Sequence, residues 1–297
     1  MKMNDLRKKI ENREKILGTL VSLTDPCLCE IMGNIGYDCV WIDTEHTYMS
    51  YKDVLCHLNA ARSAKIPAVV RLPQNDLTAT KKILEMGPDG VIFPMVRTAC
   101  EVRELIEMTL YPPNGTRGFG PLRAIGYGAV DANEYAFKKS FDMCRFVQIE
   151  HIEMIEELEE ILKIPYIDGF IFGPNDLSGS LGEFLNVYGE KTRDAITRAL
   201  NTVRGRGKYV GLAGGMGEGD ILKWSEYELD MLFAAGHLPI TFILLGSSPM
   251  VIFRCFLLNG SLALLFGHLY RKYGLRYAML SHAGCHVVSK LIWILFV

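Results

Sequence analysis

The sequence predicts an α/β fold: a (β/α)₈ barrel of parallel strands, in which an apolar C-terminal segment stands where the last helix belongs. Three observations predict it. Short runs rich in Val, Ile and Phe recur eight times between residues 15 and 236, helix-length amphipathic stretches separate them, and Gly-Pro, Pro-Pro and Asn-Gly pairs punctuate the connections. Parallel strands covered by helices are buried on both faces and therefore read as unbroken apolar runs. Eight of them are the number that closes a barrel.

Taken in order, the charged opening MKMNDLRKKIENREK reads as helix and has no apolar core of the kind a signal peptide needs. The strands follow at Ile16–Ser22, Cys39–Asp43, Ala68–Leu72, Gly90–Val96, Arg145–Glu150, Gly169–Gly173, Tyr209–Ala213 and Met231–Ala235. Between them, Tyr51–Ser63, Thr78–Glu85, Ala99–Thr109, Met154–Leu162 and Lys191–Arg204 have the length and amphipathic pattern of covering helices. The barrel domain thus spans residues 1–236, and 237–297 is a separate hydrophobic tail.

Charge divides the chain at the same place. The whole has 32 basic and 34 acidic residues, but 238–297 contains no Asp or Glu and five basic residues, so the tail is +5 and the rest is 27 minus 34, or −7. A mildly acidic body gives no electrostatic reason to expect a nucleic-acid partner. The eight cysteines mostly sit in apolar segments, and Cys27-Leu28-Cys29 lacks the spacing of a zinc knuckle, so they read as reduced, buried thiols of a cytoplasmic protein.

In such a barrel the chemistry gathers at the C-terminal ends of the strands. Here the second strand runs into Asp43-Thr-Glu45-His46, the third into Arg71, the fifth into Gln148-Ile-Glu150 and the sixth into Gly173-Pro-Asn175-Asp176. Glu150 and Asp176, on neighbouring strands, point into one mouth, an arrangement that is costly without a cation, so a divalent metal with oxygen ligands suits them. Two protein ligands leave coordination sites open for a chelating substrate such as a 2-oxo acid. Arg71 can neutralise an enolate oxyanion. His46 oriented by Asp43 makes an acid–base pair. Each residue also has a plainer reading: Asp43 as a cap, Glu45 as a solvated side chain, His46 as a surface histidine. Arg117 and Arg123, in the Gly- and Pro-rich loop, either reach a substrate carboxylate or meet a neighbouring subunit. His57, His151 and His237 read as structural or surface residues.

The segments WIDTEH, AVVRLPQND, GVIFPMVRTA, YPPNGTRGFGPLRAIGYG, FVQIEH and DGFIFGPNDLSGSLG together resemble the metal-dependent pyruvate aldolases of the HpcH/HpaI family over about residues 15–236. The resemblance implies a TIM barrel and reversible aldol cleavage of a 4-hydroxy-2-oxo acid, such as 4-hydroxy-2-oxoheptanedioate or 2-dehydro-3-deoxyglucarate, to pyruvate or a related 2-oxo acid and an aldehyde. It implies that Glu150 and Asp176 hold Mg²⁺, Mn²⁺ or Co²⁺. Backbone amides around Gly173, Asn175 and Asp176 would receive the substrate carboxylate, Arg71 would bind the keto oxygen, and His46 with Asp43 would relay the proton. Glu45 and Gln148 would support them, in a homo-oligomer, trimer or hexamer. The alternatives are a citrate-lyase- or malyl-CoA-lyase-like enzyme and a catalytically impaired, membrane-associated remnant. The tail does not fit the family. Its apolar run from Leu238 to Tyr270, broken by Pro239, Gly246, Pro249 and Gly260, leaves membrane contact open, and its end faintly resembles the last helices of CAAX-protease-like intramembrane proteins.

Overall fold

The computed structural model describes residues 5–214, 223, 224, 227 and 229–233. The segment 237–297 forms a unit of its own and lies outside the described residues, as do the tail's membrane reading and the missing eighth helix. Among the described residues no helix is long and apolar enough to cross a membrane.

The strands are β1 (Ile16–Val21), β2 (Cys39–Asp43), β3 (Ala68–Arg71), β4 (Gly90–Phe93), β5 (Cys144–Ile149), β6 (Gly169–Phe172), β7 (Tyr209–Ala213) and β8 (Met231–Phe233). They form one closed parallel barrel in sequence order, with β8 pairing both β7 and β1. The helices are α1 (Asp5–Glu11), α2 (Cys27–Ile35), α3 (Tyr51–Ala64), α4 (Leu77–Glu85), α5 (Ala99–Thr109), α6 (Ala132–Phe137), α7 (Ile152–Glu156), α8 (Leu158–Ile161), α9 (Pro174–Ser180) and α10 (Glu190–Gly205). The starts of α3, α4 and α5 are fixed by Ser50, Asp76 and Thr98, whose side chains accept the orphan amide three residues on. In α3 and α5, Asp53 and Glu101 complete capping boxes.

Alternation along each strand decides what fills the barrel and what tops it. Cys39 and Trp41, Val69, Ile92, Cys144 and Phe146, Ile171, Tyr209, Met231 and Phe233 form the interior cluster, joined at the N-terminal end by Leu6 and Ile10 of α1. The same parity continued one step up β2, β3 and β5 delivers Asp43, Arg71 and Gln148 to the open end, and a second step beyond β5 delivers Glu150. Close packing sets the small residues too: a Cβ on Gly18 would lie 2.2 Å from Cε1 of Phe233. At the closed end Arg7 grips Asp168 (2.6 Å), and the Tyr209 hydroxyl donates to the Lys9 and Glu14 carbonyls (3.1 and 2.5 Å), tying α1 over the opening.

Three expectations are corrected. The helix expected over 154–162 is two short ones, because Glu157 leaves helical geometry and its carboxylate accepts from the Ala99 amide (2.6 Å) at the start of α5, where an anion is favoured. The cysteines are not uniformly buried: Cys29, Cys39 and Cys144 are, whereas Cys27 and Cys100 are exposed, and all six described cysteines are free. Among the described residues Arg117 and Arg123 meet no part of the open end, which corrects the reading that they reach a substrate carboxylate there. Arg117 is buried between Tyr111 and Tyr135, and Arg123 donates to Asn59 Oδ1 (3.0 Å) and to the Met86 carbonyl, so both anchor the 111–128 loop beneath α4. His57 is structural as expected, fully buried with its ring nitrogens 2.8 and 3.0 Å from the Asp53 and Leu23 carbonyls. His151 caps α7, accepting from the Glu153 amide.

Candidate active site

A cavity of about 230 Å³ opens at the C-terminal end of the strands, lined by Trp41, His46, Arg71, Gln148, Glu150, Gly173, Asn175 and Asp176, with Leu20, Ala213 and Phe233 as an apolar wall. The structure brings these expected residues together. It pairs them differently from the expectation.

Asp43 does not orient His46. Its carboxylate takes the Arg71 guanidinium in a two-pronged grip, Nε to Oδ1 at 2.9 Å and Nη2 to Oδ2 at 2.7 Å. Oδ1 also accepts the Glu45 and His46 amides (3.0 and 3.4 Å), so Asp43 shapes the backbone of the loop as well. The reason is registry: Asp43 and Arg71 are directly paired residues of β2 and β3 and share the inward parity. Glu45 is not a solvated side chain either. Its Oε2 lies 2.9 Å from Arg71 Nη1, and burial raises its pKa above the ordinary carboxylate value against the pull of Arg71. His46 projects outward, its side chain 63% exposed, and its nearest carboxylate is Glu45 (Nε2 to Oε2, 3.7 Å). Arg71 lies over Trp41 (5.1 Å from Cζ to the ring centroid), with Gln148 Oε1 3.5 Å from Nη1. That leaves the second Nη2 proton without an acceptor among the described residues.

Glu150 is buried and held at both oxygens: Gln148 Nε2 donates to Oε1 at 2.6 Å, and the Met95 amide to Oε2 at 2.8 Å. Each oxygen keeps a further lone pair. Burial pushes the group up to about 7. The Met95 hydrogen bond opposes this, Glu45 and Asp176 add to it, and Arg71 opposes it. Asp176, in the first turn of α9, is exposed to the same cavity. Asp43, Glu45, Glu150 and Asp176 are four carboxylates facing one guanidinium, an excess of three negative charges if all ionise. This donor set fits a divalent cation, which takes hard oxygen ligands and relieves the repulsion. Among the described residues no group of three His, Cys, Asp or Glu side chains is disposed to hold a metal ion, so the ligands on this chain would be the two carboxylates Glu150 and Asp176, with the remaining positions open.

Gly173 is also corrected. Its amide already donates to the Ile149 carbonyl (3.1 Å), so it cannot receive a substrate carboxylate. The open amides are those of Asn175 and Asp176, which begin α9 and have no carbonyl behind them. What Gly173 supplies is space: a Cβ there would fall 2.4 Å from Glu150 Oε1 and 2.6 Å from its Cγ. Its φ of −107° suits alanine, so the backbone is not the obstacle. Gly173→Ala should therefore displace the pinned Glu150 carboxylate and weaken Mn²⁺ binding at least tenfold in a titration followed by electron paramagnetic resonance; an unchanged affinity would show that the carboxylate has another seat.

Comparison with known proteins bears on this geometry. Residues 17–213 match the family model described as HpcH/HpaI aldolase/citrate lyase. A hydroxypyruvate/pyruvate aldolase of Deinococcus radiodurans is 34% identical over 198 residues, 66% of this chain and 71% of that protein. A 4-hydroxy-2-oxo-heptane-1,7-dioate aldolase of Shigella sonnei is 32% identical over 209 residues, 70% of this chain and 80% of that one. The crystal structure of an HpcH/HpaI aldolase from Desulfitobacterium hafniense superposes with a TM-score of 0.72 at 26% identity, covering 78% of this chain and 90% of that one. The comparisons do not support the resemblance of the tail to CAAX-protease-like proteins. With a closed eight-stranded parallel barrel, carboxylates and an arginine at its open end, and this breadth of match, the chain belongs to the HpcH/HpaI aldolase/citrate lyase family.

Proposed function

We propose that the chain is a divalent-metal-dependent aldolase that reversibly cleaves a 4-hydroxy-2-oxo acid into pyruvate, or a related 2-oxo acid, and an aldehyde. Family membership supports an aldolase-type lyase. The observation that carries the finer reading is Arg71, a guanidinium held by Asp43 and Glu45 with one Nη2 proton unclaimed among the described residues, in the same cavity as Glu150 and Asp176. Aldol cleavage breaks the bond between C3 and C4 and sends its electron pair toward C2, so negative charge develops on the C2 oxygen. A donor fixed beforehand stabilises that charge without reorganising. Glu150 and Asp176 would hold Mg²⁺, Mn²⁺ or Co²⁺, which when bound supplies Lewis-acid polarisation of the 2-oxo group.

The C4 hydroxyl must lose its proton as the aldehyde carbonyl forms. His46, which lines the rim of the cavity with Glu45 Oε2 3.7 Å from its Nε2, would be the base that takes it. The Asn175 and Asp176 amides would orient the 2-oxo acid's carboxylate. Leu20, Ala213 and Phe233 would exclude water from the C3 side.

The test needs only the enolate, so the aldehyde need not be known. Pyruvate in D₂O, followed by proton NMR, should lose its methyl signal with the full chain and Mn²⁺, Mg²⁺ or Co²⁺, and keep it after chelation with EDTA. A folded protein that binds Mn²⁺ yet exchanges no methyl protons would overturn the pyruvate reading and move attention to a citrate-lyase-like thioester.

A further inference from the structure

Glu150 takes one of its two hydrogen bonds from Met95, and that donor is unusual. Met95 has φ +50°, in the left-handed region that non-glycine residues occupy only at a conformational cost. The residue is 42% exposed, so apolar packing is a weak reason for the conformation. The peptide group joining Pro94 to Met95 is instead held on both sides. Its N–H donates to Glu150 Oε2 at 2.8 Å, and its C=O accepts from Asn75 Nδ2 at 2.5 Å. Asn75 lies in the connection after β3, immediately before the Asp76 cap of α4, and does not line the cavity. A chain of contacts therefore runs from the loop after β3, through one peptide plane after β4, to the carboxylate at the end of β5.

We propose that Asn75 and Met95 are positioning residues: Asn75 fixes the Pro94–Met95 peptide plane, and the left-handed turn at Met95 aims its amide so that Glu150 presents its remaining lone pairs to the cation. The inference rests on the metal-dependent reading of Glu150. A carboxylate held at one oxygen only, by Gln148, is free to swing about that contact. One held at both oxygens is fixed in plane, and ligands oriented by such partners commonly lose 10–100-fold in metal affinity when the partner goes.

Two variant series test it by Mn²⁺ calorimetry, thermal melting of the metal-free protein and the pyruvate exchange rate. Asn75→Ala should weaken Mn²⁺ about tenfold, and Asn75→Asp, which turns a carboxylate toward the Pro94 carbonyl, at least as much, with the folded signal in near-ultraviolet circular dichroism retained. At Met95 the backbone rather than the side chain should set the order. Met95→Gly keeps the amide and adopts positive φ freely, so it should bind Mn²⁺ as the parent does and melt no lower. Met95→Val resists the left-handed region and should bind about tenfold more weakly.

A merely structural role for Asn75 would lower the melting temperature and leave the Mn²⁺ constant within twofold, and that result would overturn the proposal. So would equal losses in Met95→Gly and Met95→Val, which would assign the effect to the side chain. A parent chain that binds no Mn²⁺ would overturn this proposal and the functional reading together. A parent chain that binds Mn²⁺ without exchanging pyruvate protons would sink the aldolase reading alone, and the ranking of Mn²⁺ constants would still decide this one.

Discussion

Arg71→Ala should slow the proposed metal-dependent exchange of the pyruvate methyl protons by about 10²–10³-fold, the loss expected when one preorganised donor to a developing oxyanion is removed. It should also lower stability, because the Arg71 and Asp43 side chains are only 8% and 3% exposed and the substitution leaves the Asp43 carboxylate without its guanidinium and takes the same partner from Glu45. Breaking a buried pair from one side costs about 3–5 kcal/mol. Arg71→Lys separates the two effects. The ammonium restores a charge but cannot grip both Asp43 oxygens and reach Glu45 as a planar fork does, so stability should recover more than the exchange rate. Initial exchange rates and melts of the metal-free variants check both. A loss of less than tenfold in Arg71→Ala would remove Arg71 from the chemistry.

Glu150→Gln should abolish detectable Mn²⁺ binding and exchange, and it should also change how the metal-free protein responds to pH. Glu150 is raised from 4.5 to about 7, chiefly by burial. The folded chain therefore holds this proton more tightly than the unfolded chain. The stability it confers is complete below about 4.5 and is lost as pH rises through about 7, a change on the order of 3 kcal/mol. Urea titrations of the metal-free parent should show that fall between pH 4.5 and 7, and Glu150→Gln should flatten it. Saturating Mn²⁺ should reverse the trend in the parent, since the cation competes with the proton and binds better as pH rises. A parent whose stability is level across this window would show that Glu150 is solvated.

Most of the barrel was legible because parallel strands covered by helices leave an unmistakable trace of short apolar runs. β2 and β7 fall where the letters place them, and α5 matches residue for residue. The strand expected over 90–96 stops at Phe93, because GVIFPMV reads as one apolar run while Pro94 and the left-handed Met95 turn it away from the sheet. That turn carries the second donor to Glu150, so the misread end concealed a contact of the site. The membership of the site was equally legible, since strand parity delivers Asp43, Arg71, Gln148 and Glu150 to the same end. Its pairings were not. Spacing favoured Asp43 with His46, three residues apart, but lateral registry set Asp43 beside Arg71, twenty-eight residues away. Local sequence carries no record of which strands lie side by side, nor of Gly173 standing against a carboxylate from another strand.

The pairing of β8 with β1 joins Met231 to Ile16 across 215 residues of chain (231 minus 16). Closing a flexible loop of that length has an entropic cost of roughly 5 kcal/mol before any contact offsets it. A chain made from its N-terminus cannot complete this ring until Phe233 has left the ribosome. Throughout that interval β1 and β7 are bare sheet edges with unpaired backbone groups, open to pairing with other nascent chains. The three residues of β8 are thus the latch of the molecule: synthesis halted just before them would leave β1 and β7 without the strand that both pair with.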